Sequence, residues 1–536
     1  MVGTTAGLWL GDAWFHCAAD PVGARNWPPI RYDGGRFVSL DAWVPLLVVA
    51  SSLVPGLVIF ALAERRLVLR SALNIAGATL KLALVGWMLW GVYQGHHYET
   101  RWAFLPGLDM VLRAGPLALL FVTLSAVLWL VTTIYAIGYL EGAPHRSRFF
   151  GFFSLCVTAT IGVALSGNLI TFLFFYEMLT LSTYPLIVHR GTKAAYQAGR
   201  VYLTYTIFGG TLLLLGTVWL YTLTGTLEFV PRGIVAGLDQ AHDAALTAIF
   251  FLLIAGLGAK AALVPLHGWL PRAMVAPAPV SALLHAVAVV KVGAFGIVRV
   301  VYDIYGVDYA AALGLMKPLA WLAAFTIVYG SIRALFQDDL KRRLAFSTVS
   351  QVSYIALGVA IVGPVATIGG VVHLVHQGLM KITLFFCAGN LAETLGVHRI
   401  SEMSGVGRRM PWTMAAFTVG AFGMIGAPPI AGFVSKWYLA QGALEAGQPW
   451  VIGVLVVSSL LNAAYFLPIL HTAWFRPPPE AWPAERRFGR AETGWMLLLP
   501  PLATAAMALA AGLFASIPFS PLEWAKLIAA REFYQP

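Results

Sequence analysis

The chain has 536 residues, of which 59% are hydrophobic and 11% are charged, and its mean hydropathy is +0.77. Soluble domains carry about 25% charged residues, so this composition excludes an ordinary soluble globular protein. The formal net charge of +11 does not indicate nucleic-acid binding, because the basic residues lie in short segments between apolar runs, where they determine membrane topology.

Residues 1–40 precede the first apolar run and lack the basic, apolar and small-residue order of a signal peptide. We expect them to form a tail outside the bilayer. The three cysteines are far apart, and the chain contains no CxxC, no Walker A loop and no dinucleotide-binding glycine motif. The sequence therefore predicts no metal, no redox cofactor and no nucleotide hydrolysis.

Apolar runs of about 20 residues recur along the rest of the chain, which predicts an all-α polytopic membrane protein. We predict fourteen transmembrane helices, at 42–63, 71–93, 115–137, 148–166, 168–188, 200–224, 244–266, 280–303, 313–334, 344–363, 366–391, 412–440, 450–474 and 494–516. Basic residues concentrate in alternate loops, which the positive-inside rule assigns to the cytoplasm. Both termini are then on the outer side of the inner (plasma) membrane.

The fifth predicted span contains one acidic residue, Glu177, about midway along its apolar run. Charged groups at this depth are rare and usually face the bundle interior or a water path. We favour an ion pair with a lysine on another span that forms and breaks. The alternative is a neutral carboxyl hydrogen-bonded to a neighbouring hydroxyl such as that of Thr180.

The seventh and eighth spans combine intramembrane lysines with a proline-rich interruption. Lys260 precedes Pro265, and His285 and Lys291 follow in the next span. Broken helices survive in a bilayer only where the freed backbone lines a cavity or is buried in protein. Desolvated lysines release protons more readily than exposed ones, so this pattern favours an ion pathway over structural packing.

The eleventh span carries His373, Gln377 and Lys381 at spacings of four residues, which places them on one stripe of a helix, with His376 partly aside. Histidine titrates near neutrality, so the stripe is a candidate central proton relay. A polar seam joining helices would also account for the histidines, but it accounts poorly for the lysine.

The twelfth span repeats the arrangement of the seventh. Pro428, Pro429 and Gly432 interrupt the helix, and Lys436 follows. Two broken helices with a lysine, five spans apart, indicate a duplicated half of the kind found in transporters. Lys341 near the start of the tenth span is either a proton-entry residue or a topology anchor.

Five segments resemble the antiporter-like subunits shared by Mrp-type cation/proton antiporters, respiratory complex I and membrane-bound hydrogenases. The matching segments are FFYEMLTLSTYPLI, AKAALVPLHGWLPRAMVAPAPVSALLHAVAVVKVGAFGIVR, DDLKRRLAFSTVSQVSYIALG, HLVHQGLMKITLFFCAGNL and GAPPIAGFVSKWYL. The resemblance implies two inverted five-helix repeats with breaks in helices 7 and 12. It implies a domain order of tail (1–40), three helices (41–140), first repeat (141–303), second repeat (304–475) and C-terminal region (476–536).

The same resemblance implies roles for individual residues. Glu177 and Lys260 become the switching pair, and Lys291 with His285 becomes the link to the centre. Lys381 with its histidines becomes the central relay, and Lys436 the outlet. Gln377 stands where many relatives have a histidine, so His373 or His376 takes that role.

Lys436, where some members have glutamate, fits both the L-type pattern of complex I and the D-type pattern of Mrp antiporters. The spacing from His376 to Lys381 and the short tail after the last span favour the D type over the L type. The resemblance implies a proton-conducting subunit that works with other membrane subunits in monovalent cation (Na⁺)/H⁺ antiport. Proton pumping in a complex I-like or hydrogenase complex, with redox catalysis on other chains, and proton-coupled inorganic carbon uptake are alternatives. A structural scaffold and a stand-alone solute carrier fit the lysine series less well.

Overall fold

The computed structural model describes residues 40–488 and 491–534, so the predicted tail at 1–40 lies almost entirely outside the described residues. Within these residues the chain forms helices joined by short loops, together with one two-stranded hairpin. Eleven single helices and the segment Ala278–Tyr305, which consists of shorter helical pieces, are long and apolar enough to cross a membrane, which makes twelve candidate spans among the described residues. A helical polytopic membrane fold, as predicted, is confirmed.

Three long helices and the hairpin form the N-terminal part. They are α1 (Leu40–Ala61), α2 (Leu67–Tyr93), β1 (Glu99–Leu105), β2 (Leu108–Arg113) and α3 (Pro116–Tyr139). The strands are antiparallel, with Glu99 opposite Arg113 and a register shift between Ala103 and Leu105. The hairpin lies between the second and third predicted spans and was not predicted.

The next group of helices contains the first broken span. It comprises α4 (Arg146–Leu165), α5 (Leu169–Ile187), α6 (Lys193–Thr224), α7 (Asp243–Ala261), α8 (Trp269–Arg272), α9 (Ala278–Ala286) and α10 (Val289–Arg299). Side-chain caps define two of the helix starts: Asn168 accepts from the Thr171 amide at 2.9 Å, and Thr192 accepts from the Ala195 amide at 3.2 Å. Such caps satisfy backbone amides that have no partner within the helix.

The following group contains the second broken span. After a π-helical turn at Val300–Tyr305 come α11 (Val307–Ala312), α12 (Met316–Leu335), α13 (Leu340–Ala360), α14 (Pro364–Leu395), α15 (Val406–Arg409), α16 (Pro411–Ile425), α17 (Ala431–Glu445) and α18 (Trp450–Phe475). Asp339 caps α13 by accepting from the Arg342 amide at 2.8 Å. Pro364 begins α14, a position where its missing amide hydrogen costs nothing.

The C-terminal region consists of α19 (Trp495–Leu513), α20 (Pro521–Ile528) and a π-helical turn at Ala529–Phe533. We call residues 521–534 the C-terminal segment. A short surface helix is all that the sequence indicates here, and the structure instead packs Leu522, Trp524 and Phe533 into the hydrophobic core.

Two of the fourteen predicted spans fall outside the twelve candidate spans. The tenth corresponds to α13, which begins with Lys341, Arg342 and Arg343 next to its apolar part. The twelfth is divided into α16 and α17, each too short to span alone. The number fourteen therefore stays a prediction.

Burial identifies the centre of the bundle. The apolar parts of segment 278–305 and of α14 are completely buried inside the protein, whereas only 33% of the apolar part of α18 is buried. The two segments that carry His285, Lys291 and Lys381 are thus the ones most removed from lipid.

The end of the bundle that carries β1 and β2 is held by ion pairs, and we call it the hairpin end. Arg113 binds Glu99 at 2.7 Å and Glu228 at 3.0 Å, and Arg101 binds both carboxylates and Asp109 as well. Burial raises the pKa of Glu99, but its pairing with Arg113 and Arg101 outweighs burial and holds that pKa below its usual range. These pairs join the hairpin to the loop that follows α6.

Candidate functional site

Of the basic residues singled out in the sequence, Lys341 is half-buried and the other seven are buried. Lys436 is 8% exposed, and the others are completely enclosed: Lys260, His285, Lys291, His373, His376 and Lys381. An ammonium group facing hydrocarbon would cost at least ~3 kcal/mol on insertion scales. Their inward orientation removes that cost only if polar groups of the protein or water accept their hydrogens.

Lys260 lies at the point where the first broken span leaves its helix. α7 ends at Ala261, and Ala262 has a left-handed backbone with φ of +58°. The Lys260 ammonium donates to the carbonyl of Tyr176 on α5 and lies 3.3 Å from the centroid of the Tyr176 ring. A cation over an aromatic face is stabilised by the ring quadrupole. Lys260 is therefore held by a neighbouring helix.

Glu177 follows Tyr176 directly and lies within electrostatic reach of Lys260. Among the described residues no ion pair joins the two, and Oε1 of Glu177 is buried without a hydrogen-bond partner. The carboxylate packs against Gly210 of α6, where a Cβ would lie 2.0 Å from Oε1. It also borders an apolar groove of about 530 Å³ that opens on the side of the bundle. The structure thus shows the predicted pair in a separated arrangement.

The eighth predicted span contains a break that the sequence analysis missed. α9 ends at Ala286 and α10 begins at Val289, with Val287 and Ala288 outside helical geometry. The amides of both residues donate to the carbonyl of Leu283. His285 and Lys291 therefore share the eighth span, as predicted, but lie on its two separate helical pieces. No proline or glycine marks this position, so composition could not reveal it.

Each side of this break contacts the central helix α14. The His285 ring stacks on Phe385 with centroids 4.5 Å apart. The Lys291 ammonium donates to the carbonyl of Leu374 at 2.7 Å. At Gly293 a Cβ would lie 2.2 Å from the Ala261 amide nitrogen, so α10 approaches the end of α7 closely beside Lys260. Lys260 and Lys291 are thereby brought close to each other, and Lys291 reaches the central helix α14.

The polar stripe of α14 divides between two neighbouring helices. Nδ1 of His373 lies 2.8 Å from the Ser435 hydroxyl on α17, whereas Lys381 donates to Ser347 and to the Leu344 carbonyl on α13. The i, i+4, i+8 spacing places these residues on one face, and the two helices packed on that face determine their partners. His376 makes no hydrogen bond through either ring nitrogen within the described chain.

Lys436 is held by the second break itself. Its ammonium donates to the Ile425 carbonyl at 2.8 Å and the Met424 carbonyl at 3.2 Å, and to the Ser459 hydroxyl at 2.8 Å. The two carbonyls belong to the last turn of α16. There they have no hydrogen-bond donor within the helix, and they form the negative end of its dipole. The chain leaves helix between Ile425 and Ala431, where Pro428 and Pro429 lie. At Gly432 a Cβ would lie 1.9 Å from the Gly423 carbonyl oxygen.

These contacts connect the predicted residues in one order. Lys260 leads to Lys291 through the contact between α7 and α10, and Lys291 binds the carbonyl of the residue after His373. His373 binds Ser435, which directly precedes Lys436. We call this series the buried line. His285 and Lys381 lie beside it through Phe385 and α14.

Buried polar atoms without a protein partner concentrate along the buried line. Buried polar groups are nearly always hydrogen-bonded to protein or to water. A cluster of buried polar atoms without protein partners can therefore bind water molecules. The residues concerned are Glu177, His285, Gln351, Tyr354, His373, His376, Gln377 and Ser458.

Other candidate residues lie apart from the buried line or at its edge. Lys81 is completely buried, donates to Ser52 at 2.6 Å and lies 4.6 Å from the centroid of Trp129, so it joins α2 to neighbouring helices. Lys341 donates to the Ala276 carbonyl at 2.6 Å, beside the first broken span. His471 is exposed.

The groups that hold the buried basic side chains were not predicted from the sequence. Tyr176, Ser347 and Ser435 provide carbonyl, hydroxyl or ring contacts to residues far away in sequence. Tyr176 and Ser435 each neighbour a predicted site residue, and that adjacency is the one signal by which they could have been found. Among the described residues, no group of three or more His, Cys, Asp or Glu side chains could hold a metal ion.

Comparisons with known proteins identify relatives of this chain. Residues 166–462 match the family model described as "NADH:quinone oxidoreductase/Mrp antiporter, TM". The chain is 38% identical to the N-type chain of NADH-quinone oxidoreductase from Desulforudis audaxviator, across 78% of this chain and 84% of the relative. It is 27% identical to the D-type chain of the Na⁺/H⁺ antiporter from Bacillus subtilis, across 82% and 87% of the two chains.

Among solved structures, a chain of the Mrp complex from Dietzia sp. superposes with a TM-score of 0.81 at 25% identity, covering 92% of this chain and 98% of that one. A chain of an archaeal membrane-bound sulfane sulfur reductase has the same fold, with a TM-score of 0.79 over 91% of this chain and 97% of that one, at 24% identity. Both neighbours are parts of membrane complexes.

Proposed function

The chain belongs to the NADH:quinone oxidoreductase/Mrp antiporter membrane family, as its five motifs indicated, and we propose that it conducts protons along the buried line within a multi-subunit membrane complex. The observation that carries this proposal is the connected order of Lys260, Lys291, His373 and Lys436 between two broken helices. Ionisable residues inside a membrane usually mark an ion path.

The way in which the lysines are held supports a relay. Lys291, Lys381 and Lys436 are bound by carbonyl and hydroxyl oxygens, and none of them has a carboxylate partner among the described residues. A carboxylate at contact distance would lock the proton on the ammonium, whereas neutral acceptors leave it free to depart. The unpaired polar atoms near these lysines provide positions for water to carry the proton onward.

In the first half, Glu177 provides the variable charge. When its carboxylate approaches Lys260, it stabilises the ammonium form, and when it withdraws, as in this structure, the proton on Lys260 is less strongly held. Movement of this one carboxylate therefore biases whether a proton enters the buried line. Its position beside a lateral groove suits control by an adjoining membrane chain.

The finer architecture belongs to the same proposal. We propose fourteen spans with inverted repeats at 141–303 and 304–475, the hairpin end on the outer side, and the basic loops in the cytoplasm of a cell bounded by this inner membrane. The alternation of basic loops supports the orientation. The break at α7–α8 and its counterpart at α16–α17 support the repeats.

We propose antiport of a monovalent cation, Na⁺ first, against protons as the use of this path. The similarity to the D-type chain of a Na⁺/H⁺ antiporter and to the Mrp complex supports it. A second candidate is redox-driven proton pumping, which the higher identity to a chain of a quinone oxidoreductase favours. In that case iron–sulfur chains would co-purify, whereas a set of small membrane chains without iron would indicate the antiporter.

Transport by the intact complex in sealed vesicles tests the path. Lys260→Ala and Glu177→Ala should each abolish proton movement followed with a pH-sensitive dye, while the complex stays assembled on size-exclusion chromatography. Lys81→Ala is the matched control, since Lys81 is equally buried but lies outside the buried line. Undiminished transport in the Lys260 and Glu177 variants would refute the proposed path.

A further inference from the structure

The C-terminal segment is docked across the hairpin end of the bundle. Trp524 donates its indole hydrogen to the Pro116 carbonyl at 2.8 Å, and Arg531 donates to the Val92 carbonyl at 3.2 Å. The Phe533 ring stacks on Tyr302 with centroids 3.9 Å apart. The segment therefore bridges α2, α3 and the end of the eighth predicted span.

This docking buries one carboxylate, that of Glu532. Oε1 accepts a hydrogen bond from the Leu117 amide at 3.3 Å, at the start of α3. Gly115 leaves room for it, because a Cβ there would lie 2.5 Å from Oε1. Oε2 is buried and has no hydrogen-bond partner within the described chain. A side chain used only to cap a helix would need just one of these oxygens.

Glu532 faces a second carboxylate and a guanidinium. Arg299 binds Asp303 at 2.7 Å, and both side chains are almost completely buried. The charges of both reach Glu532, and that of Arg113 reaches Asp303. Burial raises the pKa of Glu532 to about 7; the Asp303 charge adds to the rise, and Arg299 and the Leu117 amide oppose it. Two buried carboxylates beside Arg299 favour retention of one proton between them.

The cluster lies between the buried line and the hairpin end. Asp303 is twelve residues after Lys291 in the same span, roughly 18 Å along a helix. A chain of hydroxyls runs alongside: Tyr302 contacts Thr367, and the Tyr534 hydroxyl lies 3.0 Å from that of Thr367. Thr367 is on α14, six residues before His373.

We propose that Glu532, together with Asp303 and Arg299, exchanges protons between the buried line and the hairpin end of the bundle. This inference rests on the proposed function. A proton bonds to a Glu532 carboxylate oxygen from water at that end, Arg299 then pairs with Asp303 alone, and the same O–H bond breaks when the proton moves inward. The reverse order releases a proton outward. The C-terminal segment is thus part of the conduction path, in addition to joining α2, α3 and the end of the eighth predicted span.

The intact complex carrying Glu532→Gln tests this inference. The amide keeps an acceptor oxygen for the Leu117 amide but cannot titrate. Transport should fall about a hundredfold, the lower end of what a positioned acid–base group contributes, and should lose its dependence on pH around 7. Glu523→Gln, in the same segment and bound to Lys526 at 2.8 Å, is the control and should transport normally.

The outcomes separate this inference from the proposed function. Normal transport and an unchanged pH profile in Glu532→Gln, with Lys260→Ala inactive, would overturn this inference alone. Normal transport in both would overturn the proposed function as well.

Infrared spectroscopy of the wild-type complex provides a measurement that does not depend on transport or on the stability of the variant. The carbonyl band of a protonated carboxyl should titrate near pH 7, and it should shift on exchange into deuterated water. Its absence from the wild-type spectrum across that range would also contradict the inference.

Discussion

Lys260 and Lys436 each stand beside a broken helix, in the two halves that we propose to be repeats, yet their ammonium groups have different partners. Lys260 reaches across to α5, where it meets the Tyr176 carbonyl and ring with Glu177 next in the chain. Lys436 turns back onto its own break, where two carbonyls from the end of α16 and the Ser459 hydroxyl accept its hydrogens.

This difference shows two ways of keeping an ammonium inside a membrane. Carbonyl dipoles at a helix end are fixed by the backbone, so the environment of Lys436 changes little without movement of the break. A carboxylate on a flexible side chain can approach or withdraw, so the environment of Lys260 is adjustable. We therefore expect the environment of Lys260 to respond to neighbouring chains of the complex. We expect the environment of Lys436 to stay the same.

The largest expected effect comes from the glycines at the two breaks. In Gly432→Ala the new methyl group would overlap the Gly423 backbone carbonyl, which cannot rotate away, and unfolding should become easier by about 3 kcal/mol. In Gly268→Ala the nearest atom is the Tyr205 hydroxyl, the mobile end of a side chain. Thermal unfolding of the purified complex should show a large shift for the first variant and almost none for the second.

Equal shifts in the two glycine variants would contradict the idea that the second break is the more rigid one. Transport by the surviving complex provides a further check. Gly432→Ala should lose transport because displaced carbonyls no longer hold Lys436, whereas Gly268→Ala should keep it.

A double-mutant cycle compares the charge partners of the two lysines. Glu177→Gln combined with Lys260→Met should show a coupling of about 1–2 kcal/mol in the free energy of unfolding, since these side chains share one electrostatic site. Glu177→Gln combined with Lys436→Met should be additive, because the carboxylate is not among the partners of Lys436. Equal coupling in both cycles would remove the distinction between an adjustable and a constant half.

Single acceptor groups should have smaller effects. Ser459→Ala removes one of three acceptors of Lys436, and a hydrogen bond to a charged group contributes about 1.5–3 kcal/mol. Because the two carbonyls remain, we expect a loss near the lower end, seen as a reduced rate in vesicles. Tyr176→Phe is the counterpart in the first half, since the hydroxyl of Tyr176 binds the Gly256 carbonyl and not Lys260. Its transport should stay close to that of the wild type.

The smallest expected effect is one of pH at the hairpin end. Glu99 has a lowered pKa, so its pairing stabilises the fold above the unfolded pKa and is lost as the pH falls through the lower folded value. Partly exposed pairs contribute up to about 1 kcal/mol. Below about pH 4, hydrogen exchange of the β1 amides, corrected for intrinsic rates, should accelerate before that of α14.

Arg113→Ala is the matched variant for the hairpin, because it removes a principal partner of Glu99. In this variant β1 should exchange faster even at neutral pH and should respond less to acid. A wild-type hairpin whose exchange is independent of pH across this range would show that these pairs do not hold β1.

Much of the candidate site could be predicted because it depends on short-range patterns. Lysines within apolar runs have to face inward, and prolines have to interrupt helices, whatever the neighbouring helices are. Lys260, Lys291, Lys381 and Lys436 were located in this way, and all of them are buried. The break at Val287–Ala288 could not be predicted, since those residues have no local reason to leave a helix and do so where α9 packs against α14 and α10 packs against α7.

By itself, the sequence determined the membrane class, the positions of most spans, the burial of the intramembrane lysines and the family, because hydropathy, charge and proline act locally along the chain. Only the tertiary structure decided which groups meet across helices: Lys260 with Tyr176, His373 with Ser435, and Glu532 with the start of α3. These contacts join residues up to 415 positions apart. Their formation depends on how whole helices pack, which no local pattern records.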